Sequence, residues 1–125
     1  MATPQLFSDS DLEMLDKAKI LGVRAGTDHR YTGVWVVVIE RRVFARSWGN
    51  KPTGWYRAFR DEPQGSIAVG DQEIAVRARH VRSERLRRAV SDAYAGKYKT
   101  KASEKWVRGF REPERERATL EFVPL

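Results

Sequence analysis

One stretch of twelve residues holds most of the side chains in this sequence that could do chemistry: Arg46-Ser47-Trp48-Gly49-Asn50-Lys51-Pro52-Thr53-Gly54-Trp55-Tyr56-Arg57. Arg46, Lys51 and Arg57 bring positive charge. Ser47, Asn50 and Thr53 bring hydrogen-bond donors, and Trp48, Trp55 and Tyr56 bring flat apolar surface. The segment reads as a strand end, a loop and a helix start. Strand ends and helix starts expose backbone N–H groups, which favour anions. This mixture suits a phosphate joined to an aromatic ring system. A plainer reading stands beside it, in which Trp55 and Tyr56 plug a core and the cations lie in solvent.

Other chemistries find little support. No phosphate-binding GxxxxGK[ST], no GxGxxG, no HExxH and no GxSxG occurs in the chain. Cysteine is absent, so there is no thiolate ligand, disulfide or thiol nucleophile. His29 and His80 are the two histidines. Neither has carboxylates at ligand spacing, and no metal site is expected. Glu112, Glu114 and Glu116 alternate with arginine, as on a solvated segment rather than in an acid–base pair. Any reaction would therefore be brought in with a cofactor.

The net charge is +7 over 125 residues. Residues 41–111 hold 18 basic against seven acidic side chains, whereas both flanking segments are acidic on balance. This middle segment, with Trp and Tyr interleaved, leaves a nucleic-acid-binding module open as an alternative. Arg82, Arg85 and Arg88 would form its basic ridge. Against it, no nucleic-acid motif is present, and clustering near Arg46–Arg57 favours a local anion pocket. One domain over 1–125 is expected from the length. The longest apolar run, Val34 to Ile39, has six residues, whereas a membrane helix takes about 20. With no signal-peptide pattern either, a cytoplasmic protein is expected.

The elements that must position these groups follow from periodicity and turn residues. Ser8, Asp11, Phe7 and Leu12 form a capping box and a hydrophobic staple, which predict a helix from Asp9 to about Lys19. Ile20–Ala25 reads as a strand and Gly26-Thr27-Asp28 as a turn. Val34–Ile39 reads as one central strand covered on both faces. Val43–Ser47 follows it after a turn at Glu40-Arg41-Arg42 that lacks Gly or Asn. Thr53 is the expected cap of a short helix from Trp55 to about Arg60. Ser66–Val69 and Gln72–Val81 read as strands joined by a type II′ turn at Gly70-Asp71. Leu86, Ala89, Val90, Ala93 and Tyr94 make an apolar helical stripe after a Ser83 cap, with Gly96 as its expected stop. Residues 98–112 read as irregular or weakly helical, and Thr119–Val123 as a closing strand. The order predicts a mainly β, α+β fold: a small antiparallel barrel with peripheral helices.

Three stretches carry a family resemblance: Val34-Trp35-Val36-Val37-Val38, Val43-Phe44-Ala45-Arg46-Ser47 and Trp55-Tyr56-Arg57. Ala93-Tyr94 with Lys97-Tyr98, and Ala118-Thr119-Leu120 with Val123-Pro124, extend it over nearly the whole chain. Together they resemble an uncharacterised bacterial family, domain of unknown function 2255. That family is similar to the flavin-binding split β-barrels, which include pyridoxamine-phosphate oxidases and deazaflavin-dependent nitroreductases. The resemblance implies a split β-barrel and a homodimer with FMN or a deazaflavin at the subunit interface. It also implies oxidoreductase chemistry carried by that cofactor. In this reading Arg46, Ser47 and Lys51 bind the phosphate, and Trp55 or Tyr56 lines the ring pocket. Arg57 and Arg79 are further cationic candidates. The alternative within the same fold is a cofactor-free barrel that binds another small anion or a protein partner; a small phosphate-bearing ligand is the partner expected of the basic segment.

Overall fold

The structure is a computed structural model that describes residues 6–49, 51 and 53–125. Asn50, a candidate donor, and Pro52 of the same loop lie outside the described residues. Helix α1 (Asp9–Lys17) starts as its capping residues predict, with the Ser8 hydroxyl accepting from the Asp11 N–H at 3.1 Å. Seven strands follow in the described residues: β1 (Leu21–Ala25), β2 (Thr32–Val34), β3 (Val37–Ile39), β4 (Arg42–Arg46), β5 (Gln64–Val69), β6 (Gln72–His80) and β7 (Thr119–Pro124). Between them lie α2 (Trp55–Asp61), α3 (Glu84–Lys97), α4 (Glu104–Gly109) and α5 (Pro113–Glu116), with a 3-10 turn at Lys101–Ser103.

All pairings are antiparallel, and the strand order is β2-β1-β5-β6-β7-β4-β3. This order decides the shape. Strands β2 and β3 are the two edges, yet only Trp35 and Val36 separate them in the chain. Seven strands laid flat at about 4.8 Å spacing would put the edges about 29 Å apart. Three residue steps of extended chain reach only about 10–11 Å. The sheet must therefore curl until its edges nearly meet, which makes the expected small antiparallel barrel a curled half-barrel.

Here the expected single strand Val34–Ile39 is corrected. It is two edge strands joined by a crossover, and the peptide groups of the crossover leave the ladder. Side chains from the end of α3 satisfy them. The Tyr94 hydroxyl donates to Trp35 O at 2.9 Å, Lys97 Nζ donates to Val36 O at 2.7 Å, and Val36 N–H donates to the Tyr98 hydroxyl at 3.1 Å. The run still has two covered faces. Val36 enters the core inside the half-barrel with Leu21, Val23, Val43, Ile67 and Phe122. Val37 packs outside it with Phe44, Leu86, Val90 and Tyr94. The α3 stripe thus covers the outer face within one chain.

Two helix boundaries differ from expectation. Gly54, not Thr53, caps α2 and makes no side-chain capping bond. The loop turns tightly there, with Gly54 N–H donating to Lys51 O at 2.9 Å. Gly96 does not stop α3, which runs on to Lys97 with Tyr98 as its cap. An exposed helical glycine costs about 1 kcal/mol, and the crossover bonds of Tyr94, Lys97 and Tyr98 hold the last turn against it.

Arg46 ties the layers together. Its side chain is 2% exposed. Nε donates to Thr119 Oγ1 at 2.8 Å, Nη1 to Ser91 Oγ at 2.7 Å and to Phe110 O at 3.0 Å, and Nη2 to Arg87 O at 2.8 Å. Its backbone N–H donates to the Tyr94 hydroxyl at 3.0 Å. Burial pushes its pKa down to about 10, so it stays charged at neutral pH. Removing the guanidinium leaves several buried acceptors unpaired at about 1–3 kcal/mol each. R46M should therefore lower unfolding free energy in urea by about 3 kcal/mol or more, with R46K close behind, because one ammonium cannot span the same fork.

The turn joining β3 to β4 holds Glu40 at φ 53° and Arg41 at φ 62°. This is the backbone of a type I′ hairpin, built without the Asn-Gly that favours it. Ion pairs Arg85–Glu40 at 3.1 Å and Arg41–Asp9 at 2.6 Å support it from an exposed surface. Such pairs contribute little, while left-handed backbone costs about 1–2 kcal/mol per residue. The double substitution E40N/R41G should raise the urea midpoint and stabilise by about 1–2 kcal/mol.

Candidate functional site

All four tryptophans of the chain line one cleft, although they stand at positions 35, 48, 55 and 106. Trp35 comes from the crossover, Trp48 from the loop after β4, Trp55 from the start of α2, and Trp106 from α4. Ile20, Gly33, Val34 and Phe110 complete the walls with Arg46 among them, and the volume is about 470 Å³. That size is within the range of small-molecule and cofactor pockets.

The walls are fixed by ring contacts. Trp35 stacks on Tyr98 with centroids 4.1 Å apart and planes 6° from parallel. Trp48 meets Trp106 edge-on at 4.8 Å and Phe110 at 5.6 Å. Gly109 gives Trp48 its seat, since a Cβ there would collide with the indole. The rim is open: Trp48 is 39% exposed, Trp106 43% and Ile20 56%. Large apolar side chains gathered in the open mark an interaction site more often than scattered ones do.

Two polar pockets flank the cleft, each sharing one tryptophan with it. Beyond Trp55 lies a pocket of about 210 Å³ lined by Arg24, His29, Arg30, Thr32, Thr53 and Ala58 among others. Arg24 lies over the Tyr31 ring at 4.4 Å, and its Nε is buried with no hydrogen-bond partner. Beyond Trp48 lies a pocket of about 560 Å³ whose lining includes Ser47, Tyr56, Arg60, His80, Arg115 and Arg117. Arg115 covers the Trp48 ring at 3.6 Å and donates to Trp48 O at 2.8 Å and to Gly109 O at 3.1 Å.

The residues expected at the site are distributed over this arrangement. Arg46 lines the cleft, with four of its donor bonds already made within the fold. Trp55 lines both the cleft and the smaller polar pocket, and packs on Phe122 and Phe59 at 6.5 Å each. Ser47 is buried on the Trp48 side, where its hydroxyl donates to Gly49 O. Tyr56 is buried there too, with its hydroxyl 3.1 Å from His80 Nε2. Lys51 is exposed beside Gly54, whose N–H its carbonyl accepts. Arg57 is half-buried on α2, and Arg79 stands exposed on β6 opposite Glu121. Neither lines any of these three pockets.

Sequence reasoning missed Trp35 and Trp106 as site residues, and with them Arg24, Arg30, Arg60, His80, Arg115 and Arg117. Trp106 carried a signal, as a large aromatic in the charged stretch Glu104-Lys105-Trp106-Val107-Arg108. The basic middle of the chain is broken up by ion pairs. Arg42 pairs with Glu121 at 2.8 Å, Arg85 with Glu40 at 3.1 Å and Arg111 with Asp92 at 3.1 Å. Among the described residues no cluster of His, Asp or Glu could hold a metal, and no helix is long and apolar enough to cross a membrane.

Two solved structures share this fold. A conserved hypothetical protein from Mycobacterium tuberculosis superposes with a TM-score of 0.59 at 14% identity, over 98% of this chain and 82% of that one. An FAD-binding protein from Mesorhizobium loti does so with a TM-score of 0.54 at 14% identity, over 95% and 89%. At that identity both likenesses concern the fold alone. No curated protein matches the chain. Residues 11–122 match the family pattern of DUF2255, described as an uncharacterized protein conserved in bacteria, and the chain belongs to that family.

Proposed function

We propose that this protein binds a flavin-type cofactor, FMN or a deazaflavin, with its fused ring in the four-tryptophan cleft. The observation that carries the reading is the convergence of Trp35, Trp48, Trp55 and Trp106 on one open cleft. Flat aromatic walls favour a flat conjugated guest, and each stacked contact contributes about 0.5–1.5 kcal/mol beyond its burial. The donors across Trp55 suit a phosphate tail. Arg24 has a buried Nε–H without an acceptor, and Arg30, Thr32 and Thr53 line the same pocket. Lys51 stands beside it at Gly54. A fold neighbour described as FAD-binding supports the same reading.

When bound, such a ring supplies hydride or electron transfer, and this chain's residues bind and orient it. Trp35 is held flat by Tyr98, and Trp48 is clamped under Arg115. The exposed rim of Ile20, Trp48 and Trp106 is the surface that a second subunit would cover, so a homodimer belongs to this reading.

Titration of purified protein with FMN, FAD and a deazaflavin should quench tryptophan fluorescence to saturation. W106A should weaken that binding about tenfold, equivalent to about 1.4 kcal/mol, and R24Q should weaken FMN more than riboflavin, which lacks the phosphate. R79Q should bind as the parent does. Absence of saturable quenching with all three cofactors would return the cofactor-free barrel. Light scattering after size exclusion should give twice the 14.4 kDa chain mass, and a monomer with bound cofactor would reject the interface model.

A further inference from the structure

We infer that the polar pocket beyond Trp48 is a second binding site, and that it takes a phosphate monoester. This site does not depend on a flavin in the cleft. The hollow is about 560 Å³, and its donors come from separate elements: Tyr56 and Arg60 from α2, His80 from the end of β6, Arg115 from α5 and Arg117 from the cap that follows it. Tyr56 and Arg60 are four residues apart and share a helix face, with the Arg60 guanidinium 5.8 Å from the Tyr56 ring centroid.

The charges here are unspent. Among the described residues neither Arg60 nor Arg117 makes an ion pair. Arg115 uses Nε and Nη1 on Trp48 O and Gly109 O, which leaves its Nη2 for a guest. Glu114 is the one carboxylate in the lining. Three guanidiniums against one carboxylate match a phosphate dianion better than a singly charged carboxylate, and guanidinium donors fit its oxygens.

The buried hydroxyl points to the same guest. His80 Nε2 lies 2.6 Å from Arg117 O. A carbonyl only accepts, so Nε2 carries the proton. That nitrogen, 3.1 Å from the Tyr56 oxygen, then has no lone pair to accept the Tyr56 proton, and the two oxygens share its one N–H. The phenolic hydrogen of Tyr56 then has no acceptor among the described residues, on a side chain only 5% exposed. A phosphate oxygen in the pocket would supply that acceptor, since a buried donor left unpaired is costly. Trp48 walls both spaces, so a phosphate held here belongs to a molecule lying next to the tryptophan cleft.

The test uses the full chain in nuclear magnetic resonance titrations at fixed ionic strength made up with chloride. Inorganic phosphate, phenyl phosphate and benzoate are the probes. The expected result is saturable shifts of the Trp48 indole N–H and the His80 ring with both phosphates, phenyl phosphate binding the more tightly. The double variant R60Q/R117Q should lose affinity at least tenfold and Y56F about threefold, both at parental melting temperature. R79Q should be unchanged. Equal affinity for benzoate and phenyl phosphate would overturn the proposal, as would shifts matched by chloride alone. Full phosphate affinity in Y56F and in the double variant would do the same. Because the titration is run without flavin, its failure leaves the flavin reading standing, and the reverse also holds.

Discussion

The structure depends on the way one non-sheet crossover has its backbone satisfied. Trp35 and Val36 carry the chain from one edge of the sheet to the other, so their peptide groups have no strand beside them. A buried unpaired peptide group is about as costly as a lost hydrogen bond. Tyr94, Lys97 and Tyr98 supply the missing partners from the last turn of α3. The Tyr98 hydroxyl also donates to Lys19 O at 2.6 Å, which draws in the chain between α1 and β1. These side chains thus close the half-barrel, fix α3 against its outer face and hold Trp35 flat. Burial of the two phenols raises both of their pKa values, which keeps them neutral donors.

Arg46 extends this clamp into the next layer. Its backbone N–H shares the Tyr94 hydroxyl with the crossover, and its guanidinium reaches Ser91, Arg87, Phe110 and Thr119. The end of β4, the middle of α3, the cap of α4 and the start of β7 are therefore joined by one side chain. The cleft is the space these ties leave open. Its tryptophans come from the crossover, from the loop just beyond Arg46, from α4, whose cap Arg46 holds, and from α2, which packs on β1. A residue type chosen for phosphate binding serves here mainly as a polar strut, since burial favours an arginine with all its neighbours satisfied.

Legibility from the sequence followed the range of the forces involved. The Ser8 cap, the Ser83 cap and the apolar stripe of α3 rest on neighbours within one or two turns, and all three are found. The Gly70-Asp71 turn, with Gly70 at φ 57°, rests on local backbone preference and is found as well. Val34–Ile39 misled because apolarity reports burial on two faces without reporting what lies alongside. The Gly96 stop misled because propensity lost to three long-range hydrogen bonds. At the site, Trp55, Ser47 and Tyr56 were visible because they are close in sequence. Trp106 and the arginines at 60, 115 and 117 were not, because only folding brings them to the same loop.

By itself, the amino-acid sequence determined that this is an α+β chain without thiol chemistry, whose aromatic and basic residues concentrate around residues 46–57. Composition, period and turn chemistry are local properties, and they suffice for that. Only the tertiary structure decided that the two halves of one apolar run are opposite edges of a sheet, and that four distant tryptophans form one cleft. It also decided that Arg46 is a tie between layers. Each of these follows from curling a seven-stranded sheet far enough for a two-residue crossover to close it, a constraint that acts on the whole chain at once and leaves no short-range mark.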